Sequence, residues 1–519
     1  MPCINQLASG RCCIGLVQWL TSSQRSKCVL WTTRRRNRYY LRYIFDVIYV
    51  NPGNDEIMMQ LNHRLFLLVL STILFISSCG DDEGSATSET EQVNQWILSV
   101  MEEVYFWTDE IPANPNLSQD PGNFFTSLLS SQDRFSAIFA DFNELTNQLD
   151  GVVMEAGYEL AVVRENGTNN VVGAITYIKE NSPAQSAGLQ RGDIIRRISG
   201  QAMNTNNFRS VLQNISQNHT IDYERFNFDT NQNESFQQDI SVIQLSENPN
   251  FLDTTYTTQN GKKVGYYVYN FFSQGVGSST QYRDEMDQIF AGFKAANIDE
   301  LILDLRYNSG GSVASATNFA SLIAPGVTSE TVFFLNRWND LLQQEFENDP
   351  KFESSLRGNF LEKTENIGDN LTSQRIFVLV GPGTASASEL MINGLIPFLN
   401  VIIIGGTTVG KNVGSIPIED TENPDNNYGL LPIVFQIANS LGQSDYADGF
   451  VPGPEFQVTD FQFPLRQLGD VEEPLLSAAL AEIEGQLGGR KSSAKSDIDV
   501  DYLMSTKELN PVRQELVIR

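Results

Sequence analysis

Ile376-Phe377-Val378-Leu379-Val380 is followed directly by Gly381-Pro382-Gly383 and then by Thr384-Ala385-Ser386-Ala387-Ser388-Glu389. The five apolar residues have the length and the side chains of a buried β-strand. The glycine-proline-glycine run marks a tight turn, and we predict a helix over residues 386–395. A strand, a turn and a helix in direct succession indicate an α/β fold with helices layered on a sheet.

The same alternation extends over residues 248–487, which we predict to be one α/β domain. Predicted strands lie at 263–271, 300–305, 376–380 and 401–404, and predicted helices at 282–295, 313–323 and 386–395. Three of the strands end in glycine-containing turns, at Asn308-Ser309-Gly310-Gly311, Gly381-Pro382-Gly383 and Gly405-Gly406. Open α/β sheets place their sites at the carboxyl ends of strands, so we expect the three turns to form one site.

Ser386 and Lys411 are the candidate catalytic residues at these turns. A serine acts as a nucleophile only when a nearby base takes its proton, and a lysine can be that base when burial lowers its pKa. Histidine, the usual base, occurs only as His63 and His219. The N–H groups of Ala387 and of the glycine turn at 308–311 could stabilise a developing oxyanion.

These segments resemble the C-terminal processing, or tail-specific, serine proteases. The matching residues lie at 304–311, 384–389 and 405–411, with 25 residues between Ser386 and Lys411, and the resemblance covers roughly residues 93–487. It implies a crotonase-like α/β core after a PDZ domain and a small helical unit, and a serine endopeptidase that needs no metal or cofactor. It also implies Ser386 as the nucleophile, Lys411 as the general base, and Gly310 or Gly311 with Ala387 as the oxyanion hole. By the same resemblance, Ser388 would be a helix-capping serine.

Two positions depart from that family. Many members carry an acidic residue where this chain has Pro397, and others carry a glutamine where it has Ser415. We therefore expect a Ser-Lys dyad, with Ser415 as the candidate for a third residue. The alternative is an inactive core that serves as a peptide-binding scaffold.

We predict a compact β-rich domain over residues 151–247. We predict a small helical unit over residues 93–150, in which no candidate catalytic or binding residue is evident. The β-rich part contains Ser182-Pro183-Ala184, Ala187-Gly188-Leu189 and Gly192-Asp193 in that order and resembles a PDZ domain. Such domains bind a peptide as an added strand and hold its carboxylate with backbone N–H groups. The corresponding loop is Gly157-Tyr158-Glu159-Leu160, and residues 204–212 would supply the helix of the groove. The expected partners are proteins or peptides with exposed C-termini.

The N-terminal region predicts export and lipid anchoring. Residues 58–78 have a basic start, a short apolar run and small residues, which are the parts of a signal peptide. Cys79 follows as in the lipobox of bacterial lipoproteins, and 79–92 would be an acidic tether. This places the chain in a bacterial cell envelope, attached to a membrane through Cys79. A signal peptide works poorly behind residues 1–57, so we interpret them as a mis-assigned upstream leader.

The composition excludes some function classes. A formal net charge of −28 disfavours nucleic acid as a partner. The scarcity of histidine and cysteine beyond residue 79 makes a typical zinc site improbable. Residues 405–411 fit the spacing of a phosphate loop, but Asn412 stands where Ser or Thr should meet magnesium, so we set nucleotide binding aside. Residues 488–519 are polar and without hydrophobic period, which predicts a mobile tail.

Overall fold

The computed structural model describes residues 88–485 and 500–509, together with the backbone of residues 516–517. The predicted leader, the signal peptide and Cys79 lie outside the described residues. The α-helices of the described part are α1 Glu89–Val104, α2 Pro121–Ser127, α3 Phe142–Leu149, α4 Pro183–Ser186, α5 Phe208–Leu212, α6 Gln281–Ala296, α7 Val313–Ser321, α8 Asp340–Asn348, α9 Glu353–Leu356, α10 Ala387–Leu395 and α11 Pro474–Ile483. Within those ranges, no helix has the length and apolar character needed to cross a bilayer.

Short strands are numerous in the described part. They are β1 Ala137–Phe139, β2 Val152–Glu155, β3 Tyr158–Glu165, β4 Asn170–Ile178, β5 Ile194–Ile198, β6 Gln201–Asn204, β7 His219–Asn227, β8 Gln232–Ile240, β9 Ile243–Ser246, β10 Asn250–Thr257, β11 Lys263–Tyr269, β12 Glu300–Asp304, β13 Gly311–Ser312, β14 Val332–Trp338, β15 Arg357–Asn359, β16 Arg375–Val380, β17 Asn400–Gly405, β18 Val413–Ser415, β19 Ile418–Glu419, β20 Gly429–Leu431, β21 Ile433–Asn439, β22 Val500–Ser505 and β23 Leu516–Val517. Short 3-10 helices lie at Thr108–Glu110, Gln213–Ser216, Pro350–Phe352, Gly368–Asn370, Pro454–Phe456 and Thr506–Leu509.

The α/β domain is built on a five-stranded sheet with the order β10-β11-β12-β16-β17. β10 is antiparallel to β11 and the remaining pairs are parallel. Side chains alternate between the faces of a strand: Tyr266 and Val268 pack with α11 residues, whereas Tyr267 contacts Phe290 of α6 and Phe319 of α7. The helices on both faces confirm the predicted α/β architecture, and β12, β16 and β17 direct their carboxyl ends to one edge.

A second sheet has six strands in the order β13-β23-β18-β21-β14-β15. It includes strands that lie next to the turn at 308–311 and next to Lys411. Its strand β13 directly follows the glycine turn at 308–311, and β18 follows Lys411. This sheet therefore joins the turn at 308–311 and the loop that contains Lys411.

The PDZ-like domain at 151–247 contains a seven-stranded sheet with the order β22-β3-β4-β6-β5-β7-β8. Its core consists of buried apolar residues from these strands and from α5. The expected groove helix is shorter than predicted: residues up to Asn204 form β6, and only Phe208–Leu212 is α-helical.

The prediction of a mobile polar tail at 488–519 is wrong for the part that the structure describes. Residues 500–505 form β22, which pairs antiparallel with β3, and Met504 is buried in the core of the PDZ-like domain. Tertiary pairing overrides the weak local pattern, because an extended segment gains hydrogen bonds from an open sheet edge whatever its hydrophobic period.

The N-terminal helical unit also begins earlier than predicted. Ser88 and Glu91 form a reciprocal capping box at the start of α1, so residues 89–92 belong to the helix and not to the tether. The unit contacts the α/β domain through hydrogen bonds to Ile433: Phe106 N–H donates to its carbonyl at 2.9 Å, and its own N–H donates to Ser136 Oγ at 2.8 Å.

Candidate active site

Ser386 lies at the turn between β16 and α10. It is the N-cap residue of α10 and has φ +61° and ψ −115°, a sparsely populated conformation for a residue with a side chain. Its side chain is fully buried, and Oγ donates to no acceptor among the described residues. A hydroxyl that donates no hydrogen bond, at a helix N-terminus where negative charge is favoured, is suited to act as a nucleophile.

Ser388, interpreted as the capping serine, has a different role. It lies within the first turn of α10, and its Oγ donates to the carbonyl of Asn308 at 3.0 Å. The backbone N–H of Ala385 donates to the same carbonyl at 3.2 Å. These two contacts fix the nucleophile turn against the turn at 308–311.

Lys411 lies on the loop between β17 and β18 and is fully buried. Its Nζ is 4.6 Å from the centroid of the Phe135 ring. The loop is joined to the nucleophile turn because Val409 N–H donates to the carbonyl of Thr384 at 2.9 Å. The structure thus brings the loops of Ser386 and Lys411 together at one edge of the sheet, as predicted.

Glu389 connects the backbones of Ser386 and Lys411, a contact that the sequence analysis did not predict. Its Oε2 accepts from Ser386 N–H at 2.9 Å and from Lys411 N–H at 2.7 Å. Its Oε1 accepts from Gly410 N–H at 2.7 Å and from Thr408 Oγ1 at 2.5 Å. The Ser-x-x-Glu spacing of a capping box is the sequence signal that could have found it.

The turn at 308–311 approaches Ser386 closely. Gly310 has φ +115°, and a Cβ atom there would lie 2.6 Å from Ser386 Cβ; Gly311 has φ +132°, and a Cβ atom there would lie 2.3 Å from the carbonyl oxygen of Phe272. Only glycine fits both positions. Gly310 N–H already donates to Asn308 Oδ1 at 2.9 Å, which favours Gly311 over Gly310 as an oxyanion donor. Ala387 is the first residue of α10, so its N–H has no acceptor within the helix.

Ser415, the candidate third residue, is fully buried in β18, four residues after Lys411. Its backbone pairs with Ile433 and with Val517. The structure places it on the strand that begins just after the lysine loop.

Tyr446 is a buried group that sequence reasoning did not single out. Its hydroxyl has no hydrogen-bond partner among the described residues. Burial and the nearby Glu389 carboxylate raise the pKa of Tyr446 well above its usual range, which keeps the hydroxyl protonated beside Glu389.

The loop Gly157-Tyr158-Glu159-Leu160 begins β3 and lies in the PDZ-like domain, apart from the catalytic turns in sequence. Leu160 N–H, predicted to hold a peptide carboxylate, donates to Thr506 Oγ1 at 2.9 Å. The same hydroxyl donates to Glu159 Oε2 at 2.7 Å. Residues of the chain itself therefore occupy this loop.

Asp304 and Arg306 belong to a buried ionic cluster at the end of β12. Arg306 donates to Asp304 at 2.7 Å and to Asp460 at 2.8 Å, and it also contacts Glu473. All these groups are buried, and they stabilise the turn that follows β12. Among the described residues there is no group of three or more histidine, cysteine or acidic side chains arranged to hold a metal ion.

Comparisons with known proteins agree with this geometry. Residues 263–425 match the model of peptidase family S41, residues 92–137 match the peptidase S41 N-terminal domain, and residues 174–225 match the PDZ domain. A crystal structure of a candidate S41 protease from Bacteroides fragilis is 27% identical with a TM-score of 0.60, over 75% of this chain and 97% of that chain.

Two curated relatives are named for C-terminal processing. The carboxyl-terminal-processing protease of Synechocystis is 27% identical over 57% of this chain and 57% of the relative. The carboxy-terminal processing protease CtpA of Bacillus subtilis is 24% identical over 54% of this chain and 53% of the relative. The chain thus spans about half the length of these relatives. The chain therefore contains a peptidase family S41 domain over residues 263–425, which follows a peptidase S41 N-terminal domain and a PDZ domain in the sequence.

Proposed function

We propose that the chain is a serine endopeptidase that uses a Ser386–Lys411 dyad and an acyl-enzyme. The observation that carries this proposal is the shared contact with Glu389, whose Oε2 accepts from the backbone N–H of both residues. Two residues bound to one oxygen cannot move far apart, and both side chains are buried. Such fixed placement is what a nucleophile and its base need.

In the proposed reaction, Lys411 Nζ accepts the proton of Ser386 Oγ as this oxygen attacks the carbonyl carbon of the scissile bond. The N–H groups of Gly311 and Ala387 stabilise the negative oxygen of the tetrahedral intermediate. Protonated Lys411 then donates its proton to the departing amine, which leaves an ester on Ser386. Water attacks the ester while Lys411 takes a proton from it, and the second tetrahedral intermediate then releases the acid as Lys411 returns this proton to Ser386 Oγ.

Substrates would be polypeptides that bind as an added strand to the PDZ-like domain. The strand that would pair with the substrate is β3, which begins at the loop Gly157-Tyr158-Glu159-Leu160 and is paired with β22 in this structure. The apolar wall facing this edge includes Val211 and Leu212 of α5. This arrangement supports recognition of an extended segment with apolar side chains.

A fluorophosphonate probe tests the proposal. We expect covalent labelling of the purified chain that disappears in Ser386→Ala and in Lys411→Ala, and that persists in Ser99→Ala, a serine on the remote helix α1. Ser415→Ala separates a dyad from a triad, because a third catalytic residue would reduce the labelling rate by at least about tenfold. Absence of labelling and of proteolysis at every pH would instead support the peptide-binding scaffold.

We also propose that Cys79 is lipidated and attaches the protein to a membrane of the bacterial cell envelope. The support is the succession of basic start, apolar run and small residues before Cys79 in the sequence. Cys79→Ala should move the protein from the membrane fraction to the soluble fraction of cells; retention in the membrane would contradict the anchor.

A further inference from the structure

Residues 500–505 occupy the edge of the PDZ-like sheet to which a bound peptide would add. They form β22, an outermost strand of the sheet, and pair antiparallel with β3 from Val500 opposite Glu165 to Ser505 opposite Ala161. Peptides bind such domains as an antiparallel strand beside the one that follows the carboxylate-binding loop. β3 is that strand, so β22 takes the position of a ligand.

The direction of the segment also matches that of a ligand. It runs from the far end of β3 toward the loop at 157–160, where Thr506 follows β22. Leu160 N–H donates to Thr506 Oγ1 at 2.9 Å, and this hydroxyl donates to Glu159 Oε2 at 2.7 Å. Thr506 Oγ1 thus accepts from the backbone N–H of Leu160, a donor that the sequence analysis predicted to bind a peptide carboxylate.

Apolar side chains of the segment fill the groove. Met504 is 1% exposed and belongs to the same cluster of core residues as Leu160, Val162 and Leu212. Leu503 packs against this cluster and is partly buried. The segment therefore supplies the side-chain contacts as well as the backbone contacts of a bound strand.

The chain continues from the groove to the catalytic turns. Lys507 is buried, and its Nζ donates to the carbonyl oxygens of Tyr307 at 2.7 Å and Asn270 at 3.0 Å. Further on, the backbone of Leu516–Val517 pairs in parallel with Gly311–Ser312, and Val517 also pairs with Ser415. β23 thus lies between the oxyanion turn and the strand after Lys411.

We propose that residues 500–509 are an intramolecular, substrate-like ligand that fills the groove and that, together with the backbone strand Leu516–Val517 beside Gly311, must be displaced before a substrate is cleaved. This inference rests on the proposed peptidase function. Because the segment is part of the chain, its effective concentration is on the order of millimolar for a short connection, and an external polypeptide must compete with it. The groove would select strands with a large apolar residue two positions before a hydroxyl residue, as in Met504-Ser505-Thr506.

A reversible crosslink tests whether the segment blocks the enzyme. Arg164 and Asp501 face each other across β3 and β22 and are partly exposed, so Arg164→Cys with Asp501→Cys can form a disulfide across the pair. Formation is checked by the mass of the linked peptides in the full chain. The double variant Arg164→Ser with Asp501→Ser reports loss of the ion pair alone.

We expect the oxidised variant to hydrolyse reduced, alkylated casein at least about tenfold more slowly than the same protein after dithiothreitol, as for a groove open in about a tenth of the molecules. Met504→Asp should release the segment and raise the casein rate above that of the unaltered chain. Equal rates before and after reduction would overturn the proposal and make β22 a permanent strand of the domain.

A second readout does not depend on catalysis. A fluorescent peptide with the sequence of residues 500–509 should bind Met504→Asp and the reduced cysteine variant more tightly than the oxidised variant. Equal binding in all three overturns occupancy of the groove. Binding that follows the crosslink, together with absent casein hydrolysis and absent Ser386 labelling, would refute the peptidase and leave the occupied groove intact.

Discussion

Glu389 is a buried carboxylate, and its surroundings have two opposing effects on its pKa. Burial raises the pKa of Glu389, and the hydrogen bonds from Thr408, Lys411, Gly410 and Ser386 oppose that rise without cancelling it. Four donors surround this carboxylate, two at each oxygen. Glu389 is therefore the acceptor for the backbone N–H groups of Ser386, Gly410 and Lys411. Glu389 is thus a positioning residue, which acts on the backbone of Ser386 and Lys411.

Glu389→Gln tests this role. The amide NH2 group would replace one acceptor oxygen, so one or more N–H donors would be left unsatisfied at a cost of about 1–3 kcal/mol each. We expect a lower melting temperature and slower labelling of Ser386 by the fluorophosphonate. Glu422→Gln, at an exposed loop position, is the matched control. Labelling and melting like those of the unaltered chain would show that the shared contact has no effect.

At the scale of elements, the segment at 130–136 connects the N-terminal unit to Lys411. Phe135 lies against Lys411, and an Arg134 guanidinium nitrogen donates to the carbonyl of Gly410 at 3.1 Å. Asp133 holds the segment in place by accepting from the N–H of Phe135, the N–H of Ser136 and the hydroxyl of Tyr105. The prediction that this unit carries no chemistry therefore overlooked a wall of the site.

Asp133→Ala removes the side chain that accepts these three hydrogen bonds. We expect a destabilisation of about 2 kcal/mol, since three partly buried hydrogen bonds lose their acceptor, and a fall in the rate of Ser386 acylation because the wall beside Lys411 loosens. Chemical denaturation and stopped-flow labelling measure the two effects. Asp141→Ala, which removes only a cap of α3, is the control; an unchanged acylation rate in Asp133→Ala would refute the link to the base.

For the whole molecule, a buried ionic network joins the PDZ-like domain to the α/β domain. Arg191 of the PDZ-like domain donates to Asp460 at 2.7 Å, and Asp460 also accepts from Arg306 at 2.8 Å. Tyr307 donates to Asp460 as well. Burial raises the pKa of Asp460, but the guanidinium groups of Arg191 and Arg306 outweigh it and lower the pKa to about 2. The network therefore holds the groove and the active site in a fixed relation.

Arg191→Met should destabilise the chain by about 3 kcal/mol near neutral pH, because it removes one partner of a buried pair. The pKa of Asp460 is lowered to about 2, so its stabilisation is present above the ordinary pKa of an aspartate and is lost as the pH falls through about 2. We therefore expect the difference in melting temperature between the unaltered chain and Arg191→Met to shrink between pH 4 and pH 2. A difference that stays constant over this range would contradict the role of the ion pair.

Several local elements of the α/β domain could be predicted from the sequence. The strands predicted at 300–305 and 376–380 are observed at Glu300–Asp304 and Arg375–Val380, because buried parallel strands are continuous apolar runs bounded by turns. The meeting of the Ser386 and Lys411 loops followed from the rule that parallel strands direct their carboxyl ends to one edge.

The sequence by itself determined the α/β class, the nucleophile candidate and the base candidate, since each depends on local pattern and residue type. Only the tertiary structure decided that Glu389 joins these two residues, that Phe135 lies against Lys411, and that residues 500–505 fill the edge of β3. The contacts of Phe135 with Lys411 and of residues 500–505 with β3 join segments that are distant in the chain. The contact of Glu389 with Ser386 depends on the conformation of the turn before α10. Local periodicity carries no information about which open edge or buried donor a distant segment will satisfy.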